Sequence, residues 1–301
     1  MRDEDVEAVL DALRSGWLTM GPRIQKFEAA FAEYIGAAHA VAVSSGTAAL
    51  HLAVRAAGVG AGDEVVLPAL GGGAAAGAVR AAGGEPVFCD VLGADDGPVL
   101  DPADALRRVR QRTRALVAVH AHGFRAAVPD AGVPVVEDCR AALGLGVGRA
   151  GLAACWSFAD GRPLGMGEGG CVTTDDGAVA ARVRLLRQHA MTSGTWDRHR
   201  GHSDSYDVID IGFNFRLDEP RAALGASLLA HLDEDLEARR GVEAVVVADR
   251  DVAVGALAAA GIEARPAEAL AGLPRAAELA ARLVLLGPGA DRDAVARALG
   301  A

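Results

Sequence analysis

The segment that decides the interpretation of this chain is Ser157-Phe-Ala-Asp-Gly-Arg-Pro-Leu-Gly-Met-Gly-Glu-Gly-Gly170. It follows the apolar run Ala153–Trp156 and precedes Cys171–Asp176, a pattern typical of a strand that ends in a turn. Because glycine has no Cβ, a glycine-rich loop between two strands can bring its backbone close to a ligand. The pattern predicts a binding loop at this point of the chain.

This loop resembles the one that carries the cofactor lysine in the DegT/DnrJ/EryC1/StrS sugar aminotransferases, which use pyridoxal phosphate (PLP). In that family, Ser-Phe is followed by three variable residues, the lysine, a leucine two positions later, and Gly-Glu-Gly-Gly. Ser157, Phe158, Leu164 and Gly167–Gly170 match, but the lysine position holds Arg162. Arginine stays protonated and does not form a Schiff base under ordinary conditions. The resemblance therefore implies the fold of a PLP enzyme that lacks the lysine to which PLP is covalently bound.

The totals narrow the classes of function. The 301 residues carry a net charge of −10, which argues against a nucleic-acid partner and against binding to an anionic membrane surface. No charged-then-apolar leader opens the chain, and no apolar run approaches about 18 residues, so we expect a soluble cytoplasmic protein. The four cysteines lie in or beside apolar segments without a CxxC spacing, and we expect reduced packing residues.

Lys26 is the only lysine of the chain, so a Schiff base could form with no other lysine side chain. Its surroundings have the apolar spacing of an amphipathic helix between Ile24 and Tyr34. We expect Lys26 to be solvated on that helix and not to anchor a cofactor.

A candidate phosphate site follows the short predicted strand Ala40–Val43. The Ser-Ser-Gly-Thr turn from Ser44 starts a helix, and a helix start offers free backbone N–H groups and the positive end of the helix dipole. Serine and threonine also cap helices that bind nothing, so the turn alone is weak evidence. The resemblance implies that Gly46 and Thr47 hold the PLP phosphate.

The resemblance adds two more residues to the phosphate site. It implies that Ser157 contributes from the central loop, and that Asn214 reaches across a dimer to the phosphate bound by the neighbouring subunit. Homodimerisation, or a heterodimer with a lysine-containing paralogue, is therefore the predicted assembly.

Asp138 ends the predicted strand Pro134–Asp138, where the resemblance implies an aspartate paired with the pyridine nitrogen of PLP. A helix N-cap aspartate is an equally good interpretation of the residue itself. Arg140 and Arg162 together form a candidate clamp for a phosphate or carboxylate, although two surface arginines that never meet explain them as well. By register, the aromatic that stacks on the cofactor ring has become Gly72.

Candidate substrate residues other than Arg140 come from the polar segment 188–210, a length that is usually functional or mobile. His189, Trp196 and Arg198 in this segment are predicted to face the substrate or a dimer partner, with a solvated loop as the alternative. His120 and His122 could ligate a metal by their spacing, but no third ligand is spaced nearby and we expect no metal site.

The resemblance covers nearly the whole chain and implies an aspartate-aminotransferase-like (type I) α/β fold. A large domain, residues 1–238, is predicted to hold a mostly parallel seven-stranded sheet between helices. Residues 239–301 are predicted to form a truncated small α/β domain. Between Gly123 and Val133 the chain is shorter than the ten to twelve residues, roughly, that a crossover helix needs, so a loop is predicted there.

Three hypotheses of function follow. The first is a diverged homologue of nucleotide-sugar aminotransferases that cannot transaminate alone and binds PLP, its amine form pyridoxamine phosphate (PMP), or another phosphorylated sugar-like ligand non-covalently. The second is a PMP-dependent dehydratase-like enzyme, whose base would be a histidine, drawn from His51, His120, His122 and His189. The third is a non-catalytic partner or scaffold subunit that grips a nucleotide sugar or carboxylate.

Overall fold

A computed structural model gives the fold of this chain. It describes residues 1–93, 97–121, 123–192, 205–238, 244–267, 273–287 and 290–300.

Seven strands form the main sheet, in the order β1-β7-β6-β5-β4-β2-β3. The strands are β1 His39–Val43, β2 Glu64–Pro68, β3 Glu85–Cys89, β4 Thr113–Val119, β5 Val135–Asp138, β6 Ala153–Ser157 and β7 Gly170–Thr174. Strand β7 runs antiparallel to both of its neighbours, and the other four pairings are parallel. The predicted mostly parallel seven-stranded sheet is therefore confirmed.

Helices cover both faces of this sheet. They are α1 Asp3–Arg14, α2 Pro22–Ile35, α3 Gly46–Ala56, α4 Gly73–Ala81, α5 Pro102–Arg108, α6 Gly177–Arg187, α7 Glu219–Leu229 and α8 Leu232–Ala238. Successive strand residues point to opposite faces, so Val41 and Val43 pack with α3, α4 and α6 while Ala40 and Ala42 pack with α2 and α7. Burial on both faces explains why the strands are apolar runs rather than alternating ones.

The connection from β4 to β5 crosses without a helix, as the length of the segment predicts. Its described part, residues 123–134, packs as a loop on the sheet face that α5 also covers. Ala126 holds it in place by donating its N–H to His120 Nδ1 at 3.0 Å. At β4 and β5, this face of the sheet is thus covered by α5 and a loop.

A three-stranded antiparallel sheet lies in the C-terminal part of the chain, in the order β8-β10-β9. Its elements are β8 Ala244–Val246, α9 Arg250–Ala259, β9 Ala264–Pro266, α10 Pro274–Ala280, β10 Leu283–Leu286 and α11 Arg292–Leu299. Asp90, just after β3, accepts backbone N–H bonds from Arg275 at 3.2 Å and Ala276 at 2.8 Å and so caps α10. The predicted domain boundary at 238/239 falls beside residues outside the described part and stays a prediction.

Two expectations about single residue types can be compared with the structure. All four cysteines are buried and unpaired with one another, as packing residues would be. Lys26 lies on the exposed face of α2, as expected. Among the described helices, none has both the length and the apolar character needed to cross a lipid bilayer.

Candidate functional site

The candidate site lies at one edge of the main sheet. Strands β1, β5 and β6 end there and β7 begins there, because Gly170 pairs with both Val43 and Ser157 and Asp138 pairs with Cys155. In open α/β sheets, ligands bind outside the carboxyl ends of the strands. The topology thus brings the predicted residues of three separate motifs to one place.

The start of α3 is packed closely against β6 and β7. A Cβ on Gly46 would lie 2.7 Å from Ser157 Cβ, and a Cβ on Gly170 would lie 2.4 Å from the carbonyl oxygen of Ser45. Ser45 caps the helix by accepting the N–H of Ala48 at 3.1 Å. Its first N–H groups, those of Gly46 and Thr47, precede the first intrahelical bond. Thr47 is exposed and its N–H can bind an anion, whereas Gly46 is buried.

Asp138 is buried at the end of β5 and is bound by an arginine two residues away. Arg140 donates from Nε to Oδ1 at 2.8 Å and from Nη2 to Oδ2 at 2.7 Å, and its backbone N–H reaches Oδ1 at 3.2 Å. Burial lowers the pKa of Arg140, but the charge and bonds of Asp138 outweigh burial and raise it. The pair is therefore an ion pair with both members charged.

Turns and no helix follow Asp138, so the alternative that it caps a helix is wrong. The turn brings the stem of Arg140 against the start of α3, where a Cβ on Gly46 would lie 2.8 Å from Arg140 Cδ. Arg140 thus fills the space between Asp138 and Gly46. Its predicted role with substrate stays a prediction.

Glu137, beside Asp138, belongs to a separate buried network that the sequence did not reveal. Its carboxylate lies 3.0 Å from His120 Nε2 and accepts backbone N–H bonds from the segment 148–151. His120 Nδ1 accepts a backbone N–H, so a neutral ring carries its proton on Nε2 and donates to Glu137. Burial raises the pKa of Glu137, but these bonds outweigh burial and hold it below its ordinary value.

The same network bears on metal binding. His120, Glu137 and Cys139 present ligand atoms within 4.8 Å of one another, and all three residues are buried. Both imidazole nitrogens are already in hydrogen bonds, and burial raises the pKa of the Cys139 thiol well above its ordinary value. The ligand atoms of His120 and Glu137 instead join the end of β4, β5 and the loop before β6.

The central loop folds back on itself as the glycines allow. Phe158 donates its N–H to Gly169 and accepts one from Met166, each at 2.9 Å, and its ring packs edge-on against Phe27 and Phe31. Arg162 is half-buried at the turn, with its N–H 3.2 Å from the carbonyl oxygen of Ala159. The aromatic packing fixes the frame of the loop that presents Arg162.

Asn214 and His189 lie on segments that run beside α3. Phe215 accepts the N–H of Ser44 at 2.9 Å, which places Asn214 next to the turn before α3. The side chain of Asn214 is exposed and its Oδ1 accepts from Arg216 Nε at 2.8 Å. His189 is half-buried and has a left-handed backbone, with φ of 62°.

Three residues of the sequence hypotheses lie outside the described residues, namely His122, Trp196 and Arg198. Gly72, just before α4, is described: a Cβ there would lie 2.5 Å from the carbonyl oxygen of Pro68. An aromatic side chain therefore has no room at this position without a shift of the backbone.

The family follows from comparison with known sequences. The sequence model of the DegT/DnrJ/EryC1/StrS aminotransferase family matches residues 1–249. This chain belongs to that family. It is similar to the spore coat polysaccharide biosynthesis protein SpsC of Bacillus subtilis (strain 168), with 37% identity over an alignment of 251 residues that covers 79% of this chain. The match spans 64% of the length of SpsC.

Solved structures show the same fold. DesV of S. venezuelae, solved in complex with a ketimine intermediate, is 31% identical with a TM-score of 0.83, over 99% of this chain and 93% of DesV. The putative sugar aminotransferase Spr1654 of Streptococcus pneumoniae in its PMP form is 21% identical with a TM-score of 0.84, over 100% and 96% of the two chains. The aspartate-aminotransferase-like fold is confirmed, and the family supports PLP or PMP as the ligand class.

The two ends of the site differ in how they fit that ligand class. The helix end (residues 45–47, Ser157 and Gly170) offers backbone N–H groups and hydroxyls suited to a phosphate. The aspartate end (Asp138 and Arg140) does not fit a pyridine ring, because Arg140 already bonds both carboxylate oxygens. Position 162 also lacks an amine, so it offers no nucleophile for a Schiff base with PLP.

Proposed function

We propose that this chain is a family member that does not transaminate by itself and that holds PLP, PMP or another phosphorylated, sugar-like ligand without a covalent bond. The observation that carries the proposal is the arginine at position 162 together with the exposed position of Lys26 on α2. A guanidinium stays protonated, so Arg162 supplies neither a Schiff base nor a general base near neutral pH.

The helix end supports the non-covalent part of the proposal. The close packing of Gly46 and Gly170 keeps side chains out of the turn, and Thr47, the residue that follows Gly46, is exposed with a backbone N–H that precedes the first intrahelical bond. Thr47 is exposed and Ser157 is half-buried, so their hydroxyls can add hydrogen bonds to phosphate oxygens. A phosphate at this point needs no lysine to hold it.

A dimer is the second part of the proposal, either with a second copy or with a lysine-containing paralogue. Asn214 is exposed next to the helix end, and its amide carries two N–H donors besides the oxygen that Arg216 binds. Near it, Val208, Ile209 and Ile211 are 60–71% exposed. Apolar side chains grouped on a surface are typical of a protein contact, so we infer that this segment meets the partner subunit.

The described histidines do not favour the dehydratase-like hypothesis. His120 has both ring nitrogens in hydrogen bonds inside the fold. His51 is buried on α3 against two phenylalanine rings, and its pKa is lowered first by burial and then by the charge of Arg55. A base needs access to the reacting atom, which leaves His189 among the described candidates.

The test is a titration of the purified protein with PLP, followed by borohydride reduction and intact-mass measurement. We expect saturable binding with no reducible adduct for the wild type, and an adduct for Arg162→Lys. Arg114→Lys, which also adds one lysine but at an exposed arginine, controls for reaction of PLP with any new amine. A reducible adduct on Lys26, or absence of PLP, PMP and phosphate binding, would overturn the proposal.

A further inference from the structure

The aspartate end contains an ion pair in which Arg140 bonds both carboxylate oxygens of Asp138. Arg140 donates two side-chain bonds and one backbone bond to Asp138, so the carboxylate has a donor on each of its two oxygens. The side chain of Asp138 is 2% exposed and that of Arg140 is 20% exposed. The guanidinium of Arg140, and not the carboxylate of Asp138, is therefore the part of the pair that faces the open part of the site.

Resting on the proposed binding of a phosphorylated ligand at the helix end, we propose that Arg140 is a specificity-determining residue of this site. It satisfies Asp138 from within the chain, so the site does not recognise a protonated ring nitrogen. The ligand class is then a phosphate ester whose other end carries no cation.

The competition for Asp138 favours the arginine. A protonated ring nitrogen has one N–H to donate, whereas the guanidinium makes two parallel bonds to the carboxylate. Arg140 is also two residues from Asp138 in the same turn, so its bonds cost no association entropy. A ligand that lacks a ring cation leaves this pair intact and loses nothing by doing so.

The packing of the arginine stem supports the same conclusion. Arg140 Cδ and Cγ lie 2.8 and 3.1 Å from the point where a Cβ of Gly46 would be, beside Ser157. The side chain thus runs from the aspartate end towards the helix end. The absence of a side chain at Gly46 makes room for the Arg140 side chain, so Arg140 is packed into the site.

The experiment compares PMP with a benzene analogue of PMP in which carbon replaces the ring nitrogen. PMP is used because its amine forms no Schiff base with the chain. Dissociation constants are measured by fluorescence titration for the wild type, Arg140→Gln and the double variant Arg140→Gln/Asp138→Asn. Arg108→Gln is the matched control, because Arg108 also pairs with a largely buried aspartate, Asp104, but on α5.

For the wild type and Arg108→Gln we expect the two probes to bind equally, within about threefold. Arg140→Gln frees the carboxylate for the ring nitrogen, so it should prefer PMP by about tenfold to a hundredfold, the strength of a charged hydrogen bond. The double variant keeps the space but removes the charge, and should lose that preference.

The outcomes separate this inference from the proposed function. Binding of neither probe to the wild type, together with no binding of inorganic phosphate, overturns the proposed function. Equal binding of both probes to every variant leaves that function standing and overturns the role of Arg140. If Arg140→Gln does not fold, the wild type decides alone, because a tenfold preference of the wild type for PMP contradicts the inference.

Discussion

The helix end and the aspartate end of the site are built from different parts of the chain. At the helix end the geometry is set by backbone, because Gly46 and Gly170 bring β6, β7 and the start of α3 into direct contact. At the aspartate end it is set by two side chains, Asp138 and Arg140. The backbone geometry of the helix end is kept as long as its glycines are kept. The chemistry of the aspartate end, in contrast, changes when either side chain is substituted.

This difference explains how a member of the family can keep the helix end of the ligand site while its aspartate end changes. The glycines of the helix end also allow α3 to pack closely against β6 and β7, so substituting them would disturb the fold. A residue such as Arg140 can appear at the aspartate end because the charge of Asp138 offsets the burial of its guanidinium. Each end therefore gives its own prediction.

Breaking the aspartate end should have the largest effect on stability. Asp138→Asn leaves the guanidinium of Arg140 largely buried without a counter-charge, and we expect a loss of about 3 kcal/mol in unfolding free energy. Arg140→Gln/Asp138→Asn, a neutral pair of similar size, should recover most of it. Urea denaturation of the three proteins measures both values, and equal stability of the single and double variants would show that the pair does not form.

The helix end should respond to a single methyl group. Gly170→Ala places a Cβ 2.4 Å from the carbonyl oxygen of Ser45, so β7 or the turn must shift, at about 2 kcal/mol. Phosphate binding should weaken with it, because the N–H groups of the turn move. Gly77→Ala is the control: Gly77 is exposed within α4 with no atom near its added Cβ, and should gain about 0.5 to 1 kcal/mol. A loss of stability in Gly77→Ala, or none in Gly170→Ala, would contradict this explanation.

The sequence predicts the helix end better than the aspartate end. The Gly-Glu-Gly-Gly run and the Ser-Gly-Thr turn are local motifs, and the resemblance to the family implies the mostly parallel sheet that carries them both. The loop between β4 and β5 follows from length alone. These features depend on residue type and spacing, which a sequence shows directly.

The remainder depends on distances that no local pattern encodes. Arg140 is near Asp138 in sequence, yet the sequence does not show whether Arg140 pairs with Asp138 or forms an anion clamp with Arg162. The packing of the aliphatic part of Arg140 against Gly46 decides between them. Glu137 binds N–H groups 11 to 14 residues further along the chain, in a segment with no recognisable motif. Only the three-dimensional arrangement reveals either contact.

The smallest predicted effect is a pH dependence of the unfolding free energy that comes from Glu137. The folded pKa of Glu137 lies below the ordinary value of 4.5, so its contribution is complete above pH 4.5 and falls as the pH drops through the folded pKa. Glu137→Gln does not titrate, and it loses one acceptor for the N–H groups of residues 148–151, about 1 to 2 kcal/mol at pH 7.

The gap in unfolding free energy between the wild type and Glu137→Gln should therefore narrow as the pH falls from 6 towards 3. Chemical denaturation at several pH values measures it, with Glu85→Gln, a change at an exposed glutamate, as the control. A gap that stays constant would mean that Glu137 is not held ionised by His120 and the loop. A narrowing gap would show that Glu137 is ionised in the folded protein and fastens the loop before β6.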